Sequence, residues 1–128
     1  MGTRYSLSYP ATLHYKSVAL ENGVQVRAKP LSLVGLYVTN DSANAVWLLV
    51  SDDAAGPHGL AAKPGVVYPI AAVPGDLAIA LHGGEEFASG LWIGAYSTKA
   101  LAIAGGAPDA GNVLLLKVDY DASKYTPV

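Results

Sequence analysis

PLSLVGLYVTNDSANAVWLLVSDD, residues 30–53, is the stretch on which the fold turns. Leu36 and Val38 alternate with Tyr37 and Thr39, the period of two expected of a half-buried strand. Asn40-Asp41-Ser42-Ala43-Asn44 is turn chemistry, rich in side chains that hydrogen-bond their own backbone. Val46, Leu48 and Val50 then alternate with Trp47 and Leu49, so the second strand is apolar on both faces. The expectation is a β-hairpin. Its second strand is either central in a two-layer core or turned toward a subunit interface.

Working outward, short apolar runs recur between breakers, with 14 Gly and 8 Pro in the chain. In KSVALENGVQVRA, residues 16–28, a three-residue loop Glu21-Asn22-Gly23 pairs Leu20 with Val24 and Val18 with Val26. That register puts the apolar residues on one face and predicts an outer hairpin. Pro64-Gly65 and Pro74-Gly75 read as turns bounding a strand from Val66 to Val73. Pro69 lacks an N–H and assigns that strand to an edge or breaks it. Leu77, Ile79 and Leu81 alternate with alanines, and HGGEE, residues 82–86, reads as a loop. FASGLWIGAYST and KALAIAG give two further extended pieces. NVLLLKVDYDA, residues 112–122, is the most β-like segment, with Val118 and Tyr120 alternating with Lys117, Asp119 and Asp121.

Eight to ten strands with no strong helix and no repeat predict an all-β fold, an antiparallel two-sheet sandwich that is jelly-roll-like. It is a single domain over residues 1–128, with residues 1–30 as an N-terminal arm or outer hairpin. Within FASGLWIGAYSTKA, residues 87–100, Gly90, Trp92, Gly94 and Tyr96 share one strand face. No convergent polar groups accompany them, so the glycines make packing room rather than cradle a ligand. Whether this chain or a neighbour fills that room is open at this level.

Composition narrows the function classes. Only 14% of residues are charged, against about 25% in an average soluble domain, which points to surface hidden against partners or copies of the same chain. Eight basic against ten acidic residues provide no field for a phosphate backbone, so no direct nucleic-acid partner is expected. With no cysteine, disulfides, thiolate zinc and a Cys nucleophile are excluded. No apolar run reaches the roughly 20 residues of a spanning helix, and MGTRYSLSYP has no long h-region, so neither a membrane nor a signal peptide is expected.

Catalytic chemistry is thin. His14, His58 and His82 have no zinc-like spacing. His82 with Glu85 and Glu86 is a compact set of potential metal ligands, read as a polar turn. Asp52-Asp53 and Asp119 with Asp121 are carboxylate pairs without a cleft. There is no nucleophile elbow, phosphate loop or dinucleotide fingerprint. The expectation is a chain that is not an enzyme, with no cofactor and no metal.

GLYVTNDSANAVWLLVSDD, VVYPIAAVPGDLAIAL, FASGLWIGAYST and NVLLLKVDYD together resemble small structural proteins of tailed bacteriophages, over about residues 33–121. The resemblance implies a virion component, most of all a capsid decoration (cement) protein, assembled in the host cytoplasm. Such a protein stabilises the shell where its subunits meet, as a homo-oligomer, with a trimer favoured and the major capsid protein as partner. Trp47, Leu49, Trp92, Tyr96, Tyr5 and Tyr9 are the interface candidates. The alternatives are a tail or baseplate structural protein and a carbohydrate-binding β-sandwich for cell attachment, for which Trp or Tyr would stand exposed.

Overall fold

Eight strands lie among the residues described by the computed structural model, 12–17, 23–72, 75–108 and 114–122. They are β1 (Thr12–Ser17), β2 (Val24–Arg27), β3 (Leu31–Asn40), β4 (Val46–Ser51), β5 (Gly65–Ile70), β6 (Gly75–Phe87), β7 (Leu91–Tyr96) and β8 (Leu114–Asp121), with one short helix, α1 (Lys99–Ala104). The first sheet has the order β1-β8-β3-β6 and the second β2-β7-β4-β5. The first strand pairs with the last, the second with the second-to-last, and so on inward to β4 with β5, all antiparallel. Additional pairing of β3 with β8 and β4 with β7 rolls this long ribbon into two layers. That winding is a jelly roll.

The winding overturns both hairpin expectations. β3 and β4 lie in different sheets, so residues 41–45 form an arch across the sandwich rather than a turn within one sheet. Both strands already have two neighbours, and a two-sided apolar β4 gains more from a central place than from pairing with β3. Asn40, fully buried, fixes the arch. Its amide accepts from the Ser42 N–H (2.8 Å) and donates to the carbonyls of Asn44 (3.0 Å) and Ala71 (2.8 Å). The 16–28 hairpin fails in the same way, because β1 joins β8 and β2 joins β7 in opposite sheets. Leu20 and Val18 lie outside the described residues.

Alternation, reset in β3 by a register shift between Leu33 and Gly35, sends Leu33, Leu36 and Val38 of β3 and Leu114, Leu116 and Val118 of β8 against Val46, Leu48 and Val50 of β4 and Leu91, Ile93 and Ala95 of β7. These side chains are almost wholly buried and form the main core. Each leucine, isoleucine and valine among them is worth about 1.5–3 kcal/mol of transfer free energy. β5, the strand with Pro69, takes an edge as expected. HGGEE is not a free loop: β6 runs through it. Leu33 is opposite Glu85 and Gly35 opposite Ala80, so Leu81–Gly84 bulge out of the ladder. Gly84, at φ +78°, supplies the left-handed residue that lets the strand rejoin.

KALAIAG corrects a second expectation, since residues 99–104 are helical. Alternating Leu-Ala-Ile-Ala fits a strand template, but the flanks decide otherwise. The Thr98 hydroxyl accepts the Leu101 N–H (3.2 Å) at the N-cap. Gly105, at φ +64°, closes the C-terminus by donating its N–H to the Leu101 carbonyl (3.0 Å). Leu60 donates to the Ile103 carbonyl (3.0 Å), tying the segment after β4 to the helix. Six residues are far too few for an isolated helix, so caps and packing hold it. Thr98→Ala is therefore expected to lower unfolding stability by about 1 kcal/mol, read as a lower urea midpoint. An unchanged midpoint would show that the cap is dispensable.

Candidate functional site

The outer face of the second sheet, where the interface candidates lie, is closed by the chain itself. Leu49, Trp92 and Tyr96 form a second core with Ala102 of α1, with Trp47, Leu60 and Val67 partly buried at its margin. Trp92 is 4% exposed, Tyr96 1% and Leu49 0%. The indole lies against three glycines from different segments, Gly23, Gly56 and Gly94, at each of which a Cβ would overlap it. Tyr96 donates its hydroxyl to the Gly106 carbonyl (2.7 Å). The room that Gly94 leaves is thus filled by this chain's own indole. Leu49, Trp92 and Tyr96 are corrected from surface for a neighbour to internal packing under α1. Trp47 is half-buried, with the Lys99 ammonium 5.8 Å from its ring centroid. Tyr5 and Tyr9 lie outside the described residues.

The carboxylates after β4 hold loops. Asp52 accepts the N–H groups of Ala88 (3.0 Å), Ser89 (2.8 Å) and Gly90 (3.3 Å), pinning the β6–β7 turn. Asp53, 1% exposed, accepts the Ala55 N–H (2.8 Å) and bonds His58 Nδ1 (2.7 Å). Burial raises its pKa, but the Ala55 bond, the His58 bond and charge, and Lys63 outweigh that, leaving it below its ordinary 3.8. His58 thus has a defined partner that the sequence reading missed, at a spacing of five residues across a turn. Gln25 adds a further tie: its amide nitrogen faces the carbonyls of Arg27 (2.9 Å), Asp53 (2.7 Å) and Leu91 (3.0 Å).

A groove of about 200 Å³ opens beside Asp52, between Gly65 and Val66 of β5 and Glu85, Glu86 and Phe87 of β6. Burial, and secondly the Glu85 charge, push the nearby Tyr68 phenol above its ordinary 10.0. Glu85 and Glu86 are exposed. No group of three metal-ligating side chains occurs among the described residues. Asp119 and Asp121 lie on the outer face of β8, as alternation predicted.

The first sheet's outer face is different, because no helix covers it among the described residues. Tyr37 stands between Lys117 of β8 and Ala78 of β6; one step along, Thr39 stands between Leu115 and Asp76. Leu115 is 47% exposed, and Tyr37 and Val34 are each 37% exposed. The Tyr37 ring lies over Gly35, whose Cβ position would be 2.9 Å from the phenol oxygen. Lys117 Nζ sits 5.3 Å from the ring centroid and 3.9 Å from the Asp119 carboxylate. An apolar platform edged by charge results. Leu115 was legible as the leucine of Leu114-Leu115-Leu116 that falls in the polar phase of its strand; nothing in the sequence marked Tyr37 beyond its alternation.

Comparison with protein-family models, with curated proteins and with solved structures found no match.

Proposed function

We propose that this chain is a non-enzymatic structural protein of a phage virion, which acts as a homo-oligomer, a trimer in the favoured form. In this role it binds the major capsid protein where shell subunits meet and stabilises the shell. The observation that carries the proposal is the apolar side chains left exposed on both outer faces. Val34, Tyr37 and Leu115 on the first sheet, and Leu101 and Ile103 on α1 over the second, are each more than a third exposed in a chain poor in charge. Exposed apolar side chains gathered on a face supply the area that a binding partner can cover. The engagement of Asp52 and Asp53 in loop ties supports a non-catalytic role. Double-sheet jelly rolls serve both viral capsids and lectins, so the fold is compatible with this role without selecting it. Several copies on one lattice would multiply modest single contacts through avidity.

Cosedimentation with purified DNA-free heads and, separately, tails of the encoding virus is the direct test. Binding to heads is expected, and Leu115→Glu should weaken it at least tenfold, the equivalent of about 1.4 kcal/mol at one contact. Failure to pellet with heads would overturn the capsid assignment, and pelleting with tails alone would move the protein to the tail or baseplate. A carbohydrate-binding role has one observation of its own: Tyr37 is a partly exposed aromatic ring lying over Gly35, with the Lys117 ammonium beside it. Glycan binding abolished by Tyr37→Ala would favour it.

A further inference from the structure

Four strands end the two sheets, and they are protected unequally. Exposed edges are normally blunted by shortness, charge, proline or a bulge. β2 is four residues long with a register shift, β5 carries Pro69, and β1 carries Lys16. β6 is blunted over part of its length only. The bulge at residues 81–84 interrupts it, but residues 75–80 run regularly against β3 with no proline or basic residue and with Asp76 as their one charge. No strand pairs with the outer side of that stretch among the described residues, so its outward N–H and C=O groups lack a ladder partner.

The two faces of this stretch differ. On the outer face Ala78 lies opposite Tyr37 and Ala80 opposite Gly35, both exposed, as is Asp76. On the inner face Leu77 and Ile79, with Val66 and Tyr68 of β5, pack on the main core yet stay only partly buried. A further strand would complete both the ladder and this apolar margin. It has to present small residues outward, apolar residues inward and no acid opposite Asp76. Residues 75–80 of a second copy meet those terms when run antiparallel to the first. A two-fold axis normal to the sheet keeps the faces aligned only when opposed residues are an even number apart, so the possible registers step by two. Centred on Leu77, the two Asp76 carboxylates come within two residues, about 7 Å along the strands, inside a Debye length of about 8 Å. Centred on Ile79, the pairing runs into the bulge. Centred on Ala78, Asp76 faces Ala80 of the copy, and the two acids stand four residues, about 14 Å, apart. Leu77 then faces Ile79, apolar against apolar.

We infer that two copies join edge to edge through β6, with residues 75–80 of each running antiparallel about a two-fold axis at Ala78. The pairing merges their four-stranded first sheets into one continuous sheet. Leu77 and Ile79 of each copy cover those of the other along the inner seam. Ala78 and Ala80, small on the outer face, leave the two Tyr37 platforms side by side on one surface. The contact is isologous, so it closes after two copies and leaves neither β6 edge open. With 14% of residues charged, little repulsion keeps copies apart. The inference goes beyond the proposed function: this pairing is separate from any contact that builds a trimer, and it needs no capsid.

The chain has no cysteine, so single-cysteine variants of the full chain report the register. Ala78 faces its own copy at a Cα separation of about 4.5–5.5 Å, within the roughly 4.4–6.8 Å that a disulfide spans, whereas Ala80 lies four residues from its copy. On oxidation Ala78→Cys is expected to form a covalent dimer and Ala80→Cys none at the same concentration. The wild type should have the solution mass of an even number of copies. Ala78→Lys, at an exposed position, sets two ammonium groups face to face and should halve that mass. Absence of the Ala78→Cys dimer, an equal yield from Ala80→Cys, or a mass that Ala78→Lys leaves unchanged overturns the pairing. A wild-type trimer also overturns it, while leaving the oligomeric part of the proposed function standing. A wild type that is monomeric at micromolar concentration overturns both.

Discussion

Trp92→Ala is expected to cost about 3–5 kcal/mol of unfolding free energy, the range for emptying a buried aromatic site. Total stability for a domain of this size is on the order of 5–15 kcal/mol, so the variant would sit near the limit of folding. The large value follows from how the site is built. The indole is 4% exposed and touches Gly23 ahead of β2, Gly56 in the segment after β4, and Gly94 on its own strand. None of the three glycines has a side chain that can move in to fill the void. Urea titration at pH 7 is the measurement, and a loss below about 1.5 kcal/mol would show that the site collapses freely.

A double-mutant cycle with Gly94→Ala isolates the fit between ring and glycine. In the wild type the added methyl overlaps the Trp92 ring and approaches Pro108, and overpacking of this kind costs about 1–3 kcal/mol. Once Trp92 is alanine the overlap with the ring is gone. Gly94→Ala should then be near neutral, or stabilising by the about 0.5–1 kcal/mol that glycine loses to alanine in a strand. Strict additivity of the two changes would contradict the packing described, because residues in contact couple.

What sequence revealed and what it hid follow one physical division. Alternation reports which face of a strand is buried, so the apolar faces of β3, β4, β7 and β8 were legible, as were the edge position implied by Pro69 and the two-sheet class. Alternation says nothing of which strand is the neighbour. In this winding only β4 and β5 are both consecutive and paired, so local hairpin logic failed at residues 16–28 and 30–53 alike. The helix was hidden for a related reason. Lys99–Ala104 is too short for a 3.6-residue period to outvote Leu-Ala-Ile-Ala, and the deciding residues, Thr98 and Gly105, lie outside it. Missing α1 in turn left Leu49, Trp92 and Tyr96 without a cover, which is why they read as interface. At the exposed platform, Leu115 was legible from its phase. The place of the Tyr37 ring depends on Gly35, two residues earlier, whose missing side chain leaves the space that the ring takes.

The second large effect concerns Asp53, which holds the roof over Trp92. Its bonds to Ala55 and His58 bracket Gly56, the glycine that rests on the indole. Asp53→Ala removes both bonds and should cost about 2–3 kcal/mol at pH 7, the range for unmaking charge-assisted hydrogen bonds. His58→Ala should cost less, about 0.5–1 kcal/mol, because the imidazole is 47% exposed and the Ala55 bond remains. With Trp47→Phe leaving Trp92 as the lone tryptophan, Asp53→Ala should also red-shift its emission as water reaches the ring. The pH dependence has a definite sign. The folded-state pKa is below the ordinary 3.8, so the unfolded chain binds the proton more readily. The carboxylate's contribution is fully present well above pH 3.8 and is lost as pH falls through the folded value, with a slope of at most about 1.4 kcal/mol per pH unit. Asp53→Asn, which keeps an acceptor for Ala55 but cannot ionise, should be less stable than wild type at pH 7 and lose less stability between pH 4 and pH 2. Parallel stability curves for the two proteins across that acid range would mean that the carboxylate carries no net charge stabilisation. The roof over Trp92 would then be held by the neutral hydrogen bonds alone.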